Sequence, residues 1–89
     1  MGQIIGEGIT SVGQYAFHDF GTLQTLDLPS TLTTIEDSAF RYCCWLTYVE
    51  LENTQVTTIG ERAFEFCSSM STQLTPDTLT TIGDFAFYD

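Results

Sequence analysis

Basic side chains are scarce in this sequence. It contains no lysine and only two arginines, Arg41 and Arg62, against twelve acidic residues, for a formal net charge of −10. A surface with this charge repels nucleic-acid phosphates and anionic lipid head groups, so we predict no binding to nucleic acid or to a membrane surface. A basic partner, divalent cations and simple solubility remain open as explanations of the acidic excess.

Long apolar runs and targeting segments are also missing. No apolar stretch approaches the roughly 20 residues that a membrane-spanning helix needs, so we expect no membrane insertion. The N-terminal segment MGQIIGEGIT lacks the basic stretch followed by an apolar stretch that marks a secretory signal. If the parent protein is secreted, its signal has been removed or lies outside this chain.

What the chain does contain is enough apolar surface for one small core. Hydrophobic residues make up 43% of the 89 residues and aromatic residues 13%, which favours a folded chain over a disordered one. A chain of this length forms one domain at most. We therefore predict a single domain over residues 1–89.

One motif recurs along the whole sequence. The dipeptide Ala-Phe occurs four times at a nearly constant interval, beginning at Ala16, Ala39, Ala63 and Ala86. The frame around it returns as ITSVGQYAF, LTTIEDSAF, VTTIGERAF and LTTIGDFAF. A fixed period of this length is typical of a solenoid, in which each repeat forms one coil and packs on its neighbours.

The apolar pattern within each repeat predicts a strand, a turn, a second short extended piece and a helical turn. Leu26 and Leu28 alternate with polar residues, as the inward side chains of a strand do. Gly60 supplies a permissive corner before the Ala-Phe segment. The spacing i, i+1, i+4 and i+7 of four apolar residues predicts one helical face, made by Ala63, Phe64, Cys67 and Met70.

The fixed positions of the frame match a known repeat pattern, L-x-x-I-G-x-x-A-F-x-x-C-x-x-L-x-x-V-x-L-P. The best-formed copy and the strand before it supply Val56, Ile59, Gly60, Ala63, Phe64, Cys67, Met70, Leu46, Val49 and Leu51. This pattern resembles the BspA-like, or Treponema pallidum-type, leucine-rich repeat. The resemblance implies a curved leucine-rich-repeat solenoid of parallel β-strands and short helical turns, with about three and a half 23-residue repeats. It also implies an extracellular or cell-surface protein that acts in adhesion and protein binding.

The chain departs from the pattern in three places. The segment MSTQLTPDTL, aligned with LQTLDLPSTL, turns Gln73 and Thr75 inward and Leu74 outward, and we expect a local distortion there. Glu36 stands where the other copies have a corner glycine. Both ends of the chain fall inside a repeat and show no polar cap. We therefore expect a segment of a longer array, or ends that associate with another molecule, including a second copy.

The cysteines are the first candidates for chemistry. Cys43 and Cys67 hold equivalent positions in adjacent coils, so their side chains are expected to be neighbours. Packing as small buried residues, a disulfide and a thiolate metal site are all open, and packing is favoured because Phe20 fills the same position in the first coil. Cys44 lies off the repeat position as a candidate free thiol.

No arrangement of residues predicts catalysis. His18 is the sole histidine, and it lies at a repeat position, shared with Glu65, that we expect to be exposed. Acidic residues cluster near the corners at positions 36–37, 61 and 84, where an open face provides no enclosed site for carboxylate chemistry. The paired threonines are typical of short strands and are a weak indication of ice or carbohydrate-lattice binding. We predict a protein that is not an enzyme and has no cofactor and no metal site.

The outward side chains of the predicted strands are the best candidates for binding. We call these residues, with the neighbouring tryptophan, the strand face: Thr25, Asp27, Trp45, Tyr48, Glu50 and Thr72. Tyr48 and Trp45, with Tyr42 near them, are aromatic at positions where the repeat does not require it, and exposed aromatic residues dominate the binding energy of many interfaces. The alternative is that these rings cover neighbouring edges of the core.

These patterns lead to two candidate functions. The first is a non-catalytic protein- or ligand-binding module that uses the strand face. The second is a structural spacer or self-assembling segment that associates through its uncapped end coils. The predicted core consists of Ile9, Val12, Ala16, Phe17, Phe20, Leu23, Leu26, Leu28, Leu32, Ile35, Ala39, Phe40, Cys43, Leu46, Val49, Leu51, Val56, Ile59, Ala63, Phe64, Cys67, Met70, Leu79, Ile82, Ala86 and Phe87.

Overall fold

A computed structural model describes residues 2–4, 6, 8–49, 51–70 and 76–88. Short strands alternate along these residues with turns and corners. The strands are β1 (Gly2–Ile4), β2 (Ser11–Val12), β3 (Thr25–Asp27), β4 (Thr34–Ile35), β5 (Tyr48–Val49), β6 (Thr58–Ile59) and β7 (Thr81–Ile82).

The strands form two parallel sheets that run along the stack of coils. The first sheet has the order β1-β3-β5, and Thr25 lies opposite both Gly2 and Tyr48. The second sheet has the order β2-β4-β6-β7, and Thr34 lies opposite both Ser11 and Thr58. Each strand thus pairs with the strand one repeat away in sequence, which confirms the predicted parallel solenoid.

The Ala-Phe segments form tight turns, so the predicted helical turns are wrong. No helix occurs in the described part of the chain. The amides of Phe17 and Asp19 donate to carbonyls of the next coil, at 2.7 Å each, while those of Ala16 and His18 donate three residues back within the same coil. Left-handed backbone angles at Tyr15 and its equivalents make this alternation possible.

Left-handed angles are unusual for residues other than glycine. They occur here at Tyr15, Asp19, Ser38, Tyr42, Arg62, Phe66 and Phe85, with φ between 58° and 65°. Each such residue costs about 1–3 kcal/mol, and the hydrogen bonds to the next coil offset this cost. The hydrogen bonds within a coil span three residues, so Phe64 and Cys67, three residues apart, both face inward and are buried. The apolar spacing therefore identified these inward residues correctly, although the segment is not a helix.

The four phenylalanines of the repeat form one stacked column. Neighbouring ring centroids in the series Phe17, Phe40, Phe64 and Phe87 are 5.1, 5.1 and 5.3 Å apart, with interplanar angles of 8° or less. Phe40 and Phe64 are fully buried. This column confirms the central expectation for the architecture, because stacked coils place equivalent residues above one another.

The predicted core holds in the middle coils and fails at the ends. Eighteen predicted residues are buried, and Phe17, Phe20, Met70 and Leu79 pack against them while partly exposed. The prediction is wrong for Ile9, Ala16, Ile82 and Phe87, which are exposed. These four lie in the outer coils, where only one neighbouring coil covers them.

The corner glycines Gly60 and Gly83 are required by the close approach of the preceding coil. A Cβ at Gly60 would lie 2.5 Å from the backbone nitrogen of Asp37, and one at Gly83 would lie 2.4 Å from that of Glu61. Neither glycine has a positive φ, so close packing rather than conformational freedom selects glycine here. Glu36 holds the equivalent position in the coil of β4, and its side chain is exposed.

The longer interval between the second and third Ala-Phe segments is absorbed at one corner. Thr25 pairs with Tyr48, whereas Thr34 pairs with Thr58, so the partners in the second sheet are one residue further apart in sequence. The additional residue therefore lies in the corner that joins β5 of the first sheet to β6 of the second. Thr54 is buried in this corner, where its hydroxyl donates to the carbonyl of Leu51 at 2.7 Å.

The distortion expected in the third repeat stays a prediction. The segment with Gln73, Leu74 and Thr75 lies outside the described residues.

Candidate functional site

The first sheet presents the described members of the strand face to solvent. Thr25 and Tyr48 are register partners in β3 and β5, and Asp27 lies two residues further along β3 on the same side. All three are exposed, Tyr48 by 49%. Glu50 and Thr72 lie outside the described residues, so their predicted membership in the strand face stays a prediction.

Trp45 lies just before β5 and is the most exposed large apolar side chain of the described chain, at 63%. With Gly21, Thr22 and Gln24 of the preceding coil it lines an open depression of about 320 Å³. An indole this exposed contacts solvent over most of its surface, which argues against the alternative that it covers an edge of the core. The depression provides a shallow, mixed polar and aromatic surface beside the strand face.

The Ala-Phe turns contain an ion-pair cluster around a buried carboxylate, which the sequence analysis did not predict. Glu65 accepts a hydrogen bond from Arg41 Nε at 2.5 Å and one from Arg62 Nη1 at 3.1 Å. Its side chain is only 3% exposed, whereas the arginine side chains are 25% and 39% exposed. The prediction of an exposed position is therefore wrong for Glu65. Both arginines shield its carboxylate from solvent and supply hydrogen bonds in place of those that water would make.

Aromatic rings surround this cluster on the outer side of the turns. Tyr42 and Phe66 stack with centroids 4.9 Å apart. Arg41 lies 4.7 Å from the Tyr42 ring centroid, and Arg62 lies 5.0 Å from that of Phe85. These cation–π contacts hold the two guanidinium groups against the turns. Tyr42 and Phe66 hold equivalent positions in adjacent repeats, and this equivalence was the indication in the sequence that their rings stack.

The three cysteines are free thiols. Cys43 and Cys67 are buried, and their sulfurs donate to the carbonyls of Phe17 and Phe40, at 3.2 and 3.1 Å. The contact with Cys43, together with burial, raises the pKa of the Cys67 thiol well above its usual range. The favoured interpretation of these residues as packed core side chains is consistent with this geometry, and Cys44 is the exposed thiol.

The acidic residues near the corners lie on an open surface. Glu36, Asp37, Glu61 and Asp84 are exposed, and Asp37 Oδ1 accepts a hydrogen bond from the amide of Glu61 at 2.8 Å. Glu36 and Asp37 line a shallow depression of about 210 Å³. Among the described residues, no three or more His, Cys, Asp or Glu side chains are grouped so that they could hold a metal ion.

The first threonine of each pair bonds to the coil before it. The hydroxyls of Thr33, Thr57 and Thr80 donate to the carbonyls of Thr10, Thr33 and Thr57, at 3.0, 3.4 and 3.1 Å. These bonds link neighbouring coils, so half of each pair contributes to stacking. This use as inter-coil links favours the structural explanation of the paired threonines over a lattice-binding array.

Comparisons with known proteins agree on the fold. A sequence profile described as "BspA type Leucine rich repeat region" matches residues 3–89 in six copies. The structure is similar to the crystal structure of a T. pallidum leucine rich repeat protein, with a TM-score of 0.71 and 23% identity. The similarity covers 99% of this chain and 54% of that protein, so the chain spans about half the length of its structural relative. None of the curated protein sequences matches the chain.

The described residues contain no helix that is long and apolar enough to cross a membrane. The repeat frame, the parallel stack and the profile match together identify the family, whose repeats serve as binding or structural modules. The chain belongs to the BspA-type leucine-rich repeat family.

Proposed function

We propose that this chain is a non-catalytic module that binds a protein partner through its strand face. The observation that carries the proposal is the exposure of Trp45 and Tyr48, by 63% and 49%, beside the polar side chains of Thr25 and Asp27. Large exposed aromatic residues surrounded by polar ones are the usual centres of binding energy in protein interfaces. Thr25 and Tyr48 are register partners in a hydrogen-bonded parallel pair, and side chains on an ordered sheet lose less conformational entropy on binding than those of a mobile loop.

Site-specific cross-linking tests the proposal even when the identity of the partner is unknown. A photoreactive amino acid at Thr25 should capture a partner protein, whereas the same group at the corner residue Asp84 should not. The purified partner is then titrated against Trp45→Ala, Tyr48→Ala and the control Tyr15→Ala, whose side chain is 55% exposed on an Ala-Phe turn. We expect each strand-face variant to weaken binding about tenfold or more and the control to bind like the wild type. Equal losses in all three variants would contradict the proposal.

A specific observation also favours the second candidate function, association through the end coils. Ile82 and Phe87 are 51% and 39% exposed, whereas the equivalent Ile59 and Phe64 one coil earlier are buried. Apolar side chains at the end of the stack are suited to packing against another coil. Light scattering after size exclusion should show a larger species as concentration rises, and a strict monomer at high micromolar concentration would count against this function.

We further propose that the chain is a segment of a longer array, in which an additional coil covers these side chains. The greater length of the T. pallidum relative supports this proposal. The mass of the protein in cell extracts, measured by immunoblotting, should then clearly exceed the 9.9 kDa of the chain itself. A mass of that size would contradict the proposal.

We also propose an adhesive role at the cell surface, supported by the family, whose members are often surface-exposed or secreted. Antibodies against the chain should label intact cells without permeabilisation. Labelling that appears only after permeabilisation would place the protein inside the cell and remove adhesion from its functions.

A further inference from the structure

The arginines of this protein lie in one cluster on the Ala-Phe turns, around the buried carboxylate of Glu65. Lysine is absent, so Arg41 and Arg62 supply the formal positive side-chain charge at pH 7. Both guanidinium groups bind the same carboxylate, that of Glu65, and both lie against aromatic rings of the Ala-Phe turns. Neither arginine therefore has its charge available on the surfaces of the two sheets.

The strands of both sheets contain no basic residue, and the first sheet carries an exposed carboxylate. Asp27 lies on the same side of the sheet as Tyr48, one strand across and two residues along. A strand spacing of about 4.8 Å and a rise of about 3.3 Å per residue place these two positions about 8 Å apart. A single arginine or lysine head group can lie between a carboxylate and an aromatic ring at this separation.

The side chains at this surface are those that recognise cations. A carboxylate forms charge-assisted hydrogen bonds with guanidinium or ammonium groups, and the faces of tyrosine and tryptophan attract the same groups. The Ala-Phe turns show the same chemistry within the molecule, since Arg41 contacts both a carboxylate and an aromatic ring: its Nε lies 2.5 Å from Glu65 Oε1 and its Cζ 4.7 Å from the Tyr42 ring centroid. The net charge of −10 adds a long-range attraction for a positively charged partner.

We propose that the strand face binds an arginine- or lysine-bearing segment of its protein partner, with a cationic side chain held between Asp27 and Tyr48 and its neighbour against Trp45. This inference rests on the proposed function, because it names the chemistry of the partner that the strand face takes. It assigns to Asp27 a direct role in recognition and to the acidic excess a role in attracting the partner.

The single tryptophan of the chain provides a local readout, because Trp45 is itself part of the strand face. The probe is a short peptide in which arginine alternates with glycine, and the matched control peptide has glutamate in place of arginine. The arginine peptide should change the Trp45 fluorescence in a saturable way, and the glutamate peptide should not. Raising NaCl from about 50 to about 300 mM should weaken binding several-fold, because salt screens charges at the surface.

Two variants with the same net charge separate specific recognition from general attraction. Asp27→Asn removes the carboxylate of the strand face, and Asp84→Asn removes an exposed carboxylate at the corner after β7. We expect Asp27→Asn to weaken binding of the arginine peptide about fivefold or more and Asp84→Asn less than about twofold. Equal losses in the two variants, or no saturable response of the wild type, would overturn the inference.

The cross-linked partner distinguishes failure of this inference from failure of the proposed function. If binding of that partner depends on Tyr48 but is unaffected by Asp27→Asn and by salt, the strand face remains the binding surface. The inference that the partner is basic would then be overturned. Binding unaffected by both Tyr48→Ala and Trp45→Ala would overturn both.

Discussion

Replacement of Phe40 by alanine tests the stacked column on which the architecture depends. Phe40 is fully buried, and its ring stacks on Phe17 and on Phe64, with both centroid distances 5.1 Å. Burial of a phenylalanine in a core is worth about 3–5 kcal/mol in a Phe→Ala substitution, and aromatic pairs add about 0.5–1.5 kcal/mol each. We therefore expect a loss near the upper end, about 4–5 kcal/mol.

Phe87→Ala is the matched control, because it changes the same repeat position at the end of the column. Phe87 is 39% exposed and stacks on Phe64 alone, at 5.3 Å. Its replacement should cost about 1–2 kcal/mol, since less apolar surface and one ring contact are lost. A chain of this length has a free energy of unfolding of about 4–13 kcal/mol, so Phe40→Ala removes much or all of it.

Urea unfolding followed by circular dichroism measures both free energies, with the slope against urea compared between variants. If Phe40→Ala does not fold, Phe40→Leu keeps most of the volume and should still show a measurable loss of about 1–2 kcal/mol. Equal losses of unfolding free energy for Phe40→Ala and Phe87→Ala would refute the reasoning. A buried ring stacked on two neighbours would then contribute no more to stability than a partly exposed ring stacked on one.

Three further predictions concern the cluster, the corner and the thiols. Glu65→Ala should lower the free energy of unfolding by about 1–3 kcal/mol, because it removes the shared partner of two partly buried arginines, whereas alanine at the exposed Glu61 should change it by less than about 0.5 kcal/mol in the same denaturation assay. Gly60→Ala should lower the melting temperature, since its Cβ would lie 2.5 Å from backbone, while Gly13→Ala at the equivalent corner meets no atom within 4 Å and should melt near the wild-type temperature. A thiol reagent at pH 8 should modify only Cys44 in the folded protein and all three cysteines in denaturant, as counted by mass spectrometry; rapid modification of a second thiol in the folded state would contradict the burial.

The repeat period determined most of the fold, because equivalent positions in stacked coils must lie above one another. The phenylalanine column and the outward positions of Thr25, Asp27 and Tyr48 follow from that period and from strand alternation. The exposure of Ile82 did not follow from them, since the frame marks inward residues but not how many coils cover each one.

Two other features depend on contacts that the local sequence does not contain. The turn at residues 63–70 has the apolar spacing of a helix, but its amides bond alternately within the coil and to the next coil, so spacing alone could not separate the two conformations. Glu65 is an acidic residue at a variable position, and its burial depends on Arg41 in the coil before it as well as on Arg62 three residues earlier. The local sequence does not predict the pairing of Glu65 with Arg41.

The corner around Thr54 has a consequence for how such proteins diversify. One coil is longer than its neighbours there, yet both sheets keep their pairing and the phenylalanine rings remain evenly spaced. The added length therefore leaves the phenylalanine column unchanged, while Thr54 stays buried and the amide of Gln55 donates to the carbonyl of Leu32 in the preceding coil at 3.1 Å. Loops of other lengths and sequences should be acceptable at the exposed residues Glu52 and Asn53, which makes this corner a natural point for acquiring new surface loops while the rest of the molecule is unchanged.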